Sequence, residues 1–202
     1  LYGDGAHLKG GPYLSFKFVT ICLKIVKIRF GEMDRRRKIW NFVEKVFIIY
    51  GNGGISMKCI LFVCTGNTCR SPMAEAILKN KGIPDIEVKS AGVYAVNGQR
   101  ASRFAQEVLA DAVIHQEHQS KQISAEDVEW ATHILTMTES HAAAIRNFFP
   151  EYSDKVYTLK EFAGAGRSGK DVLDPYGGSK ADYYNTFIEL KGLIDSFENK
   201  LR

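Results

Sequence analysis

The chain has 202 residues, of which 45% are hydrophobic and 25% charged, and its formal net charge at pH 7 is +4. This composition is typical of a globular domain and argues against a fibrous, low-complexity or intrinsically disordered protein. Residues 1–56 carry 10 Lys and Arg against 4 Asp and Glu, whereas residues 57–202 carry 17 against 19. The positive charge is therefore confined to the first segment and does not indicate nucleic-acid binding by the rest.

Residues 1–56 show no clear boundaries between helices and strands. The apolar run at 18–23 is soon interrupted by Lys24, Lys27 and Arg29, so it is too short to cross a bilayer and is not an ordinary signal peptide. We expect an N-terminal extension that is disordered or not native, and a domain that begins at Met57. The four cysteines, at positions 22, 59, 64 and 69, show no disulfide framework, which predicts a reducing, cytoplasmic location.

From Met57 onward, strand and helix patterns alternate along the chain. The patterns predict strands at 58–63, 86–89, 133–137 and 156–159, and helices at 72–81, 102–112, 124–130, 139–148 and 180–201. This alternation predicts an α/β fold with a parallel sheet. On the last helix, we expect a buried side composed of Tyr184, Phe187, Ile188, Leu190 and Ile194.

Cys64 and Arg70 stand at the two ends of a short loop between the first strand and the first helix. Small or turn-tolerant residues at 65–68 let the backbone curl so that its N–H groups point at one anion. The helix N-terminus favours both an anion and a cysteine thiolate, and Arg70 can donate to two phosphate oxygens. We predict a phosphate loop with Cys64 as nucleophile; its binding residues are Thr65, Gly66, Asn67, Thr68, Cys69 and Arg70. Too few further Cys or His ligands lie at suitable spacings for a zinc site.

The Cys64-to-Arg70 motif with Ser71, together with Asp174-Pro175-Tyr176, resembles the low-molecular-weight protein tyrosine phosphatase family over residues 57–202. The resemblance implies a four-stranded parallel sheet in the order 2-1-3-4, with helices on both faces and the phosphate loop at the C-terminal end of strand 1. It also implies a phosphocysteine intermediate and Asp174 as the general acid, which protonates the leaving atom and then activates water. Asp171 is expected to be a solvated loop residue. No metal or other cofactor is expected, since these groups complete the reaction.

Three further residues are expected to support the site. Asn67 would brace the loop, because its side chain tolerates a left-handed backbone, and Ser71 would donate to the departing sulfur. His118 lies where the family has a histidine that orients the loop asparagine, which implies the same role here. The other histidines downstream of Met57, His115, His133 and His141, are expected to be incidental.

Cys69 is predicted to act as a resolving thiol. A loop closed around one phosphate brings the Cα atoms of Cys64 and Cys69 into the range of a disulfide. Peroxide would oxidise Cys64 first, and Cys69 would then form a disulfide that prevents irreversible oxidation. A small buried cysteine without a redox role is the alternative.

Residues 164–169 match the pattern G-x-G-x-x-G of dinucleotide-binding proteins. That pattern functions at a strand-to-helix junction, and the residues that follow here have no helical period. We expect a mobile loop that carries Asp174 toward the site.

Thr68 and Tyr176 are the residues expected to select the substrate. Within the family, threonine after the loop asparagine is typical of bacterial protein-arginine phosphatases, and the glycines at 177 and 178 resemble the same subgroup. We predict hydrolysis of phosphoarginine on proteins by a monomer that binds neither nucleic acid nor membranes. Phosphotyrosine is the main alternative. Arsenate reduction has less support, because no cysteine follows Cys69, and a non-catalytic phosphate-binding module would not need Cys64, Arg70 and Asp174 together.

Overall fold

The computed structural model of the chain describes residues 57–166 and 169–201. The expectations about residues 1–56 therefore lie outside the described residues, as does part of the expected loop at 164–169. Within the described ranges, no helix combines the length and apolar character needed to span a membrane.

Four parallel strands form the central sheet: β1 (Lys58–Cys64), β2 (Ile86–Gly92), β3 (His133–Thr136) and β4 (Val156–Thr158). Their order is β2-β1-β3-β4, and each neighbouring pair is parallel. The fold class and the strand order predicted from the sequence are confirmed. Because β1 lies between β2 and β3, its carboxyl end is flanked by the segments that follow both of those strands.

The helices are α1 (Arg70–Asn80), α2 (Arg103–Asp111), α3 (Ala125–Trp130), α4 (Glu139–Phe148), α5 (Leu159–Ala163) and α6 (Lys180–Leu201), with a 3₁₀ helix at Pro150–Lys155. Successive residues of β1 point to opposite faces of the sheet. Ile60 and Phe62 pack with α1, α2 and α6 in one apolar cluster, whereas Leu61 and Val63 pack with α3 and α4 in the other. The sheet is thus covered on both faces.

Two details differ from the sequence-based predictions. Strand β4 ends at Thr158 because Thr158 and Glu161 form a capping box, which begins α5 at Leu159. Gly164, at φ 83°, ends that helix. The glycine-rich segment therefore begins at the end of a helix, whereas a dinucleotide-binding turn begins at the end of a strand.

The buried side of α6 was predicted partly wrongly. Tyr184 and Ile188 are exposed, and the buried residues include Tyr183, Phe187 and Leu190. Residues 183, 187, 190 and 194 follow the helical repeat, whereas 184 and 188 lie about 100° further around the helix. Of these two sets, only the side chains at 183, 187, 190 and 194 pack into the apolar core.

Candidate active site

The phosphate loop, residues 64–70, lies at the carboxyl edge of the sheet. Cys64 is the last residue of β1, and α1 begins at Arg70. The N-terminus of this 11-residue helix therefore faces the same space as the cysteine. Unpaired N–H groups and the helix dipole favour an anion at such a position.

The Cys64 sulfur is almost fully buried and has two polar neighbours. The backbone N–H of Asn67 donates to Sγ at 3.3 Å, and the Ser71 Oγ lies 2.9 Å from Sγ. A hydroxyl at this distance can donate to a sulfur that carries negative charge. Ser71 is thus placed beside the atom that would leave when a phosphocysteine is hydrolysed.

Asn67 is the central brace of the loop. It is fully buried, and its backbone is in the left-handed region at φ 54°. Its amide donates to Ser71 Oγ at 2.9 Å and to Ser90 Oγ at 2.8 Å, while its side-chain oxygen accepts from the Lys121 N–H at 2.9 Å. Three separate segments thereby hold one side chain, so the curled backbone is fixed in place before any anion binds.

His118 contacts the same asparagine, but through the backbone. Its Nε2 donates to the Asn67 carbonyl at 2.7 Å, and its Nδ1 lies 3.9 Å from a Glu75 carboxylate oxygen. Glu75 also accepts from the Ser90 hydroxyl at 2.5 Å. These contacts connect α1, β2 and the loop that contains His118 into one polar network around Asn67.

Gly92 permits the close approach of β2 to the phosphate loop. A Cβ atom at this position would lie 2.6 Å from the Thr65 carbonyl oxygen and 2.9 Å from the Asn67 nitrogen. Only glycine fits there without moving the loop backbone. The next residues continue the contact, because Val93 N–H donates to the Cys64 carbonyl and Tyr94 N–H to the Thr65 carbonyl, both at 2.9 Å.

Arg70 is buried and joins the phosphate loop to Asp174. Its Nη2 donates to Asp174 Oδ2 at 2.6 Å, and its Nη1 donates to the Val172 carbonyl at 3.3 Å. Its Nε is buried and has no hydrogen-bond partner among the described residues. A buried donor of this kind costs stability unless an acceptor satisfies it. Phosphate oxygens suit the planar guanidinium, so this atom fits an anion held by the loop.

Asp174 belongs to the acid loop, which we define as residues 169–178. Its carboxylate is 49% exposed, and Pro175 is buried directly after it. Tyr176 is 79% exposed, so its ring is available to a substrate. Asp171 is exposed, as expected of a solvated loop residue, and its carboxylate also accepts from the Glu139 N–H in the first turn of α4 at 2.8 Å.

Thr68 and Cys69 form the side of the loop near α2 and α6. The Thr68 carbonyl accepts from the Ser102 N–H at 2.8 Å. The Cys69 thiol donates to Ser102 Oγ at 3.5 Å and lies 3.2 Å from the Tyr183 hydroxyl. Burial and the contact with Cys69 raise the pKa of Tyr183 to about 12. Tyr183 was not anticipated from the sequence as part of this site.

His141 was also missed, because it was expected to be incidental. It is buried, and its Nε2 lies 2.8 Å from Thr65 Oγ1 while its Nδ1 lies 2.7 Å from Thr138 Oγ1. Burial, and then the charge of Arg70, lower the pKa of His141 to about 4. The signal that could have found it is topological: α4 begins just after β3, which is the neighbour of β1, so its first turn must lie beside the phosphate loop.

A polar cavity of about 530 Å³ opens beside these groups. Its lining includes Thr65, Arg70, Thr138, His141, Asp171 and Asp174. The structure thus places the predicted guanidinium and acid in one cavity with Thr65, the residue that directly follows the predicted nucleophile Cys64. A thiol at a helix N-terminus, next to an arginine and a carboxyl group, can transfer a phosphoryl group to sulfur and then to water.

This fold and loop define the class of cysteine-dependent phosphatases. The sequence profile of the family described as low molecular weight phosphotyrosine protein phosphatase matches residues 59–202. The chain belongs to this family, as its resemblance in the two motifs predicted.

Three related proteins show how similar the chain is to members of the family. A protein-arginine-phosphatase of Geobacillus stearothermophilus is 50% identical over 143 residues, which are 71% of this chain and 95% of that protein. The low molecular weight protein-tyrosine-phosphatase PtpB of Staphylococcus aureus is 40% identical over 135 residues, 67% of this chain and 93% of PtpB. A solved structure of YwlE arginine phosphatase, with a phosphorylated serine in place of the active-site cysteine, has a TM-score of 0.67 and 42% identity. The match covers 71% of this chain and 95% of the chain in that structure.

Proposed function

We propose that this protein hydrolyses phosphoarginine on proteins through a phosphocysteine intermediate. The observation that carries this assignment is the 50% identity to a protein-arginine-phosphatase over 95% of its length. Thr68 in the phosphate loop and the glycines after Tyr176 support the same substrate. The YwlE structure with a phosphorylated serine in place of the active-site cysteine supports a phosphorylated enzyme intermediate.

In the first step, the Cys64 thiolate attacks the phosphorus atom, and the bond between phosphorus and the guanidinium nitrogen breaks. Loop amides and Arg70 hold the phosphoryl oxygens, where negative charge is concentrated. Asp174 gives its proton to the departing nitrogen. A phosphate at Arg70 competes with the Asp174 carboxylate for the guanidinium, so the carboxyl group must leave Arg70 before it can reach the departing nitrogen.

In the second step, water attacks the phosphocysteine and Asp174 accepts its proton. The bond between sulfur and phosphorus breaks, and the Ser71 hydroxyl, 2.9 Å from Sγ, donates to the sulfur as negative charge returns to it. Phosphate then leaves. The protein groups supply the nucleophile, the acid and the anion site, so the scheme uses no cofactor or metal.

Phosphotyrosine is the second candidate substrate, supported by the family description and by PtpB. The deciding experiment is parallel turnover of phosphoarginine and phosphotyrosine proteins by the same preparation. We expect a higher kcat/KM on phosphoarginine proteins. Higher activity on phosphotyrosine would reverse the assignment, and no turnover of either would favour a binding module.

The remaining proposals concern the location, oligomeric state, partners and domain boundaries of the enzyme. We propose a cytoplasmic monomer that binds neither nucleic acid nor membranes, with phosphorylated proteins as its partners. The free state of Cys59, Cys64 and Cys69 supports a reducing compartment. We further propose that residues 57–202 form the catalytic domain, and that residues 1–56 lie outside it.

A further inference from the structure

The first turn of α4 lies between the two loops of the active site. On one side, the Asp171 carboxylate accepts from Glu139 N–H at 2.8 Å, and Val172 N–H donates to the Met137 carbonyl at 2.8 Å. On the other side, His141 contacts Thr65, the residue that follows Cys64. One short segment, residues 137–141, therefore touches both the acid loop and the phosphate loop.

The imidazole of His141 has a hydroxyl partner on each nitrogen. Thr138 Oγ1 accepts from the His141 backbone N–H at 3.2 Å and lies 2.7 Å from Nδ1, so the ring is anchored to its own helix. The other nitrogen, Nε2, extends to Thr65 Oγ1. With its pKa lowered to about 4 by burial and by Arg70, the ring is neutral near pH 7. A neutral imidazole donates through one nitrogen and accepts through the other, so it bonds both hydroxyls at once.

Thr65 is held at two points, and His141 supplies one of them. Its carbonyl accepts from the Tyr94 N–H at 2.9 Å, which fixes the peptide that follows the residue. Among the described residues, His141 is the only hydrogen-bond partner of the Thr65 hydroxyl, so it alone fixes the side chain. Thr65 supplies one of the loop amides predicted to face phosphate, so a change in its orientation alters the anion site directly.

We propose that His141 is a positioning residue that holds Thr65, and with it the start of the phosphate loop, in the conformation that binds the phosphoryl group. This inference rests on the proposed phosphatase function. It assigns His141 no proton transfer and no contact with substrate. Its effect passes through one hydrogen bond, between Nε2 and the Thr65 hydroxyl.

Two substitutions at this position separate the two hydrogen bonds of the ring. The amide of glutamine reaches about as far as Nε2, whereas the amide of asparagine reaches only about as far as Nδ1. His141→Asn therefore loses the bond to Thr65 and can keep the one to Thr138. We expect it to raise KM for an aryl phosphate and the inhibition constant of inorganic phosphate, both by about tenfold, with a smaller change in kcat. His141→Gln should restore both constants to within about threefold of wild type.

A double-mutant cycle tests whether Thr65 is the recipient. Thr65→Val keeps the β-branched shape and removes the hydroxyl, so it should reproduce the constants of His141→Asn. If the two residues act through one bond, the double variant should be no worse than about tenfold, not about a hundredfold. His115→Asn, at an exposed histidine, is the matched control and should behave as wild type.

Each outcome supports or overturns the proposal. A purely structural role would lower the melting temperature and the active fraction but leave KM and the phosphate constant unchanged. That result would overturn the inference. So would equal defects in His141→Asn and His141→Gln, or effects of the two substitutions that multiply in the double variant. If His141→Asn does not fold, the constants of Thr65→Val alone test the proposal, because this variant leaves the imidazole in place. If wild type itself hydrolyses neither phosphoarginine proteins nor an aryl phosphate, the proposed function fails, and calorimetric binding of inorganic phosphate by the same variants still tests the inference.

Discussion

The phosphate loop and the acid loop meet at Arg70, but they are held very differently. Several segments form hydrogen bonds with Asn67 of the phosphate loop. Ser71 and Ser90 accept from its side-chain amide, the Lys121 N–H donates to its side-chain oxygen, and His118 donates to its backbone carbonyl. The acid loop is attached mainly near its start, where Lys170 pairs with Glu139 and Glu161 and where Asp171 and Val172 are hydrogen-bonded. Its functional side chains, Asp174 and Tyr176, are exposed.

This difference corresponds to two tasks. Donors that stabilise a phosphoryl group work best when they are already in position, because no free energy is then needed to orient them during the reaction. The acid must release Arg70 when phosphate arrives and must reach leaving groups of different shape. We therefore expect changes in the phosphate loop to alter anion binding or abolish chemistry, and changes in the acid loop to alter the rate according to the leaving group.

Replacing the nucleophile should have the largest effect. Cys64→Ser should lower kcat by at least roughly 10⁴-fold, because a serine hydroxyl is a far weaker nucleophile here than a thiolate. Phosphate binding, measured by calorimetry, should persist, because the loop amides and Arg70 remain. Cys59→Ser is the control: burial raises the pKa of the Cys59 thiol, and this variant should retain activity. Normal turnover by Cys64→Ser would end the assignment of the nucleophile.

Removing the acid should have the next largest effect. Asp174→Asn should slow turnover by about 10²- to 10³-fold, and most for substrates with poor leaving groups, since an amide cannot protonate them. The measurement is kcat across a series of aryl phosphates of different leaving-group pKa. Asp171→Asn is the comparison: it should cost less than about threefold, because a neutral amide can still accept the bond from Glu139. An equal loss for every leaving group would remove Asp174 from proton transfer.

A change of side chain at Thr68 should alter the choice of substrate. Thr68→Ile exchanges a hydroxyl for apolar bulk while keeping the stiff β-branched shape. It should lower kcat/KM on phosphoarginine and raise it on aryl phosphates, so that their ratio moves by at least roughly tenfold. Parallel kinetics on both substrates, with a melting curve to verify folding, provide the test. If both activities fall together, Thr68 only supports the loop.

The contact between Cys69 and Tyr183 should slow oxidation of the phosphate loop. Under mild peroxide, Cys64 is expected to become a sulfenic acid, and Cys69 then displaces water to form the disulfide. Tyr183→Phe removes the hydroxyl 3.2 Å from the Cys69 sulfur and keeps the ring, so disulfide formation should speed up by roughly threefold. Mass spectrometry after timed quenching measures it, with the exposed Tyr184→Phe as control. Reversible inactivation that persists in Cys69→Ala would refute a resolving role for Cys69.

Deleting residues 1–56 should have the smallest effect. Because both loops and the four described strands lie within residues 57–202, the truncated protein should keep its kcat/KM to within about twofold, as expected for removal of a segment outside the domain. Turnover and circular dichroism of the two chain lengths provide the comparison. Insolubility or lost activity of the shorter chain would show that the segment contributes to the fold or the site.

The sheet and the phosphate loop could be predicted because their signals are local. Alternating strand and helix patterns predicted the parallel sheet, and the motif from Cys64 to Arg70 is contiguous. Errors arose where the signal was weak or overlooked. The capping residues Thr158 and Glu161 begin a helix within a predicted strand, and the apolar Tyr184 and Ile188 lie just outside the buried stripe of α6.

By itself, the sequence determined the chemistry at the end of β1, because a thiol, a curled backbone and a guanidinium lie within seven consecutive residues. The tertiary structure alone decided which distant side chains hold that loop. His141 reaches Thr65 across 76 positions, and Tyr183 reaches Cys69 across 114. Whether such residues meet depends on the order of the strands and the rotation of each helix. A hydrogen bond depends on tenths of an ångström, whereas hydrophobic periodicity specifies only which face is buried.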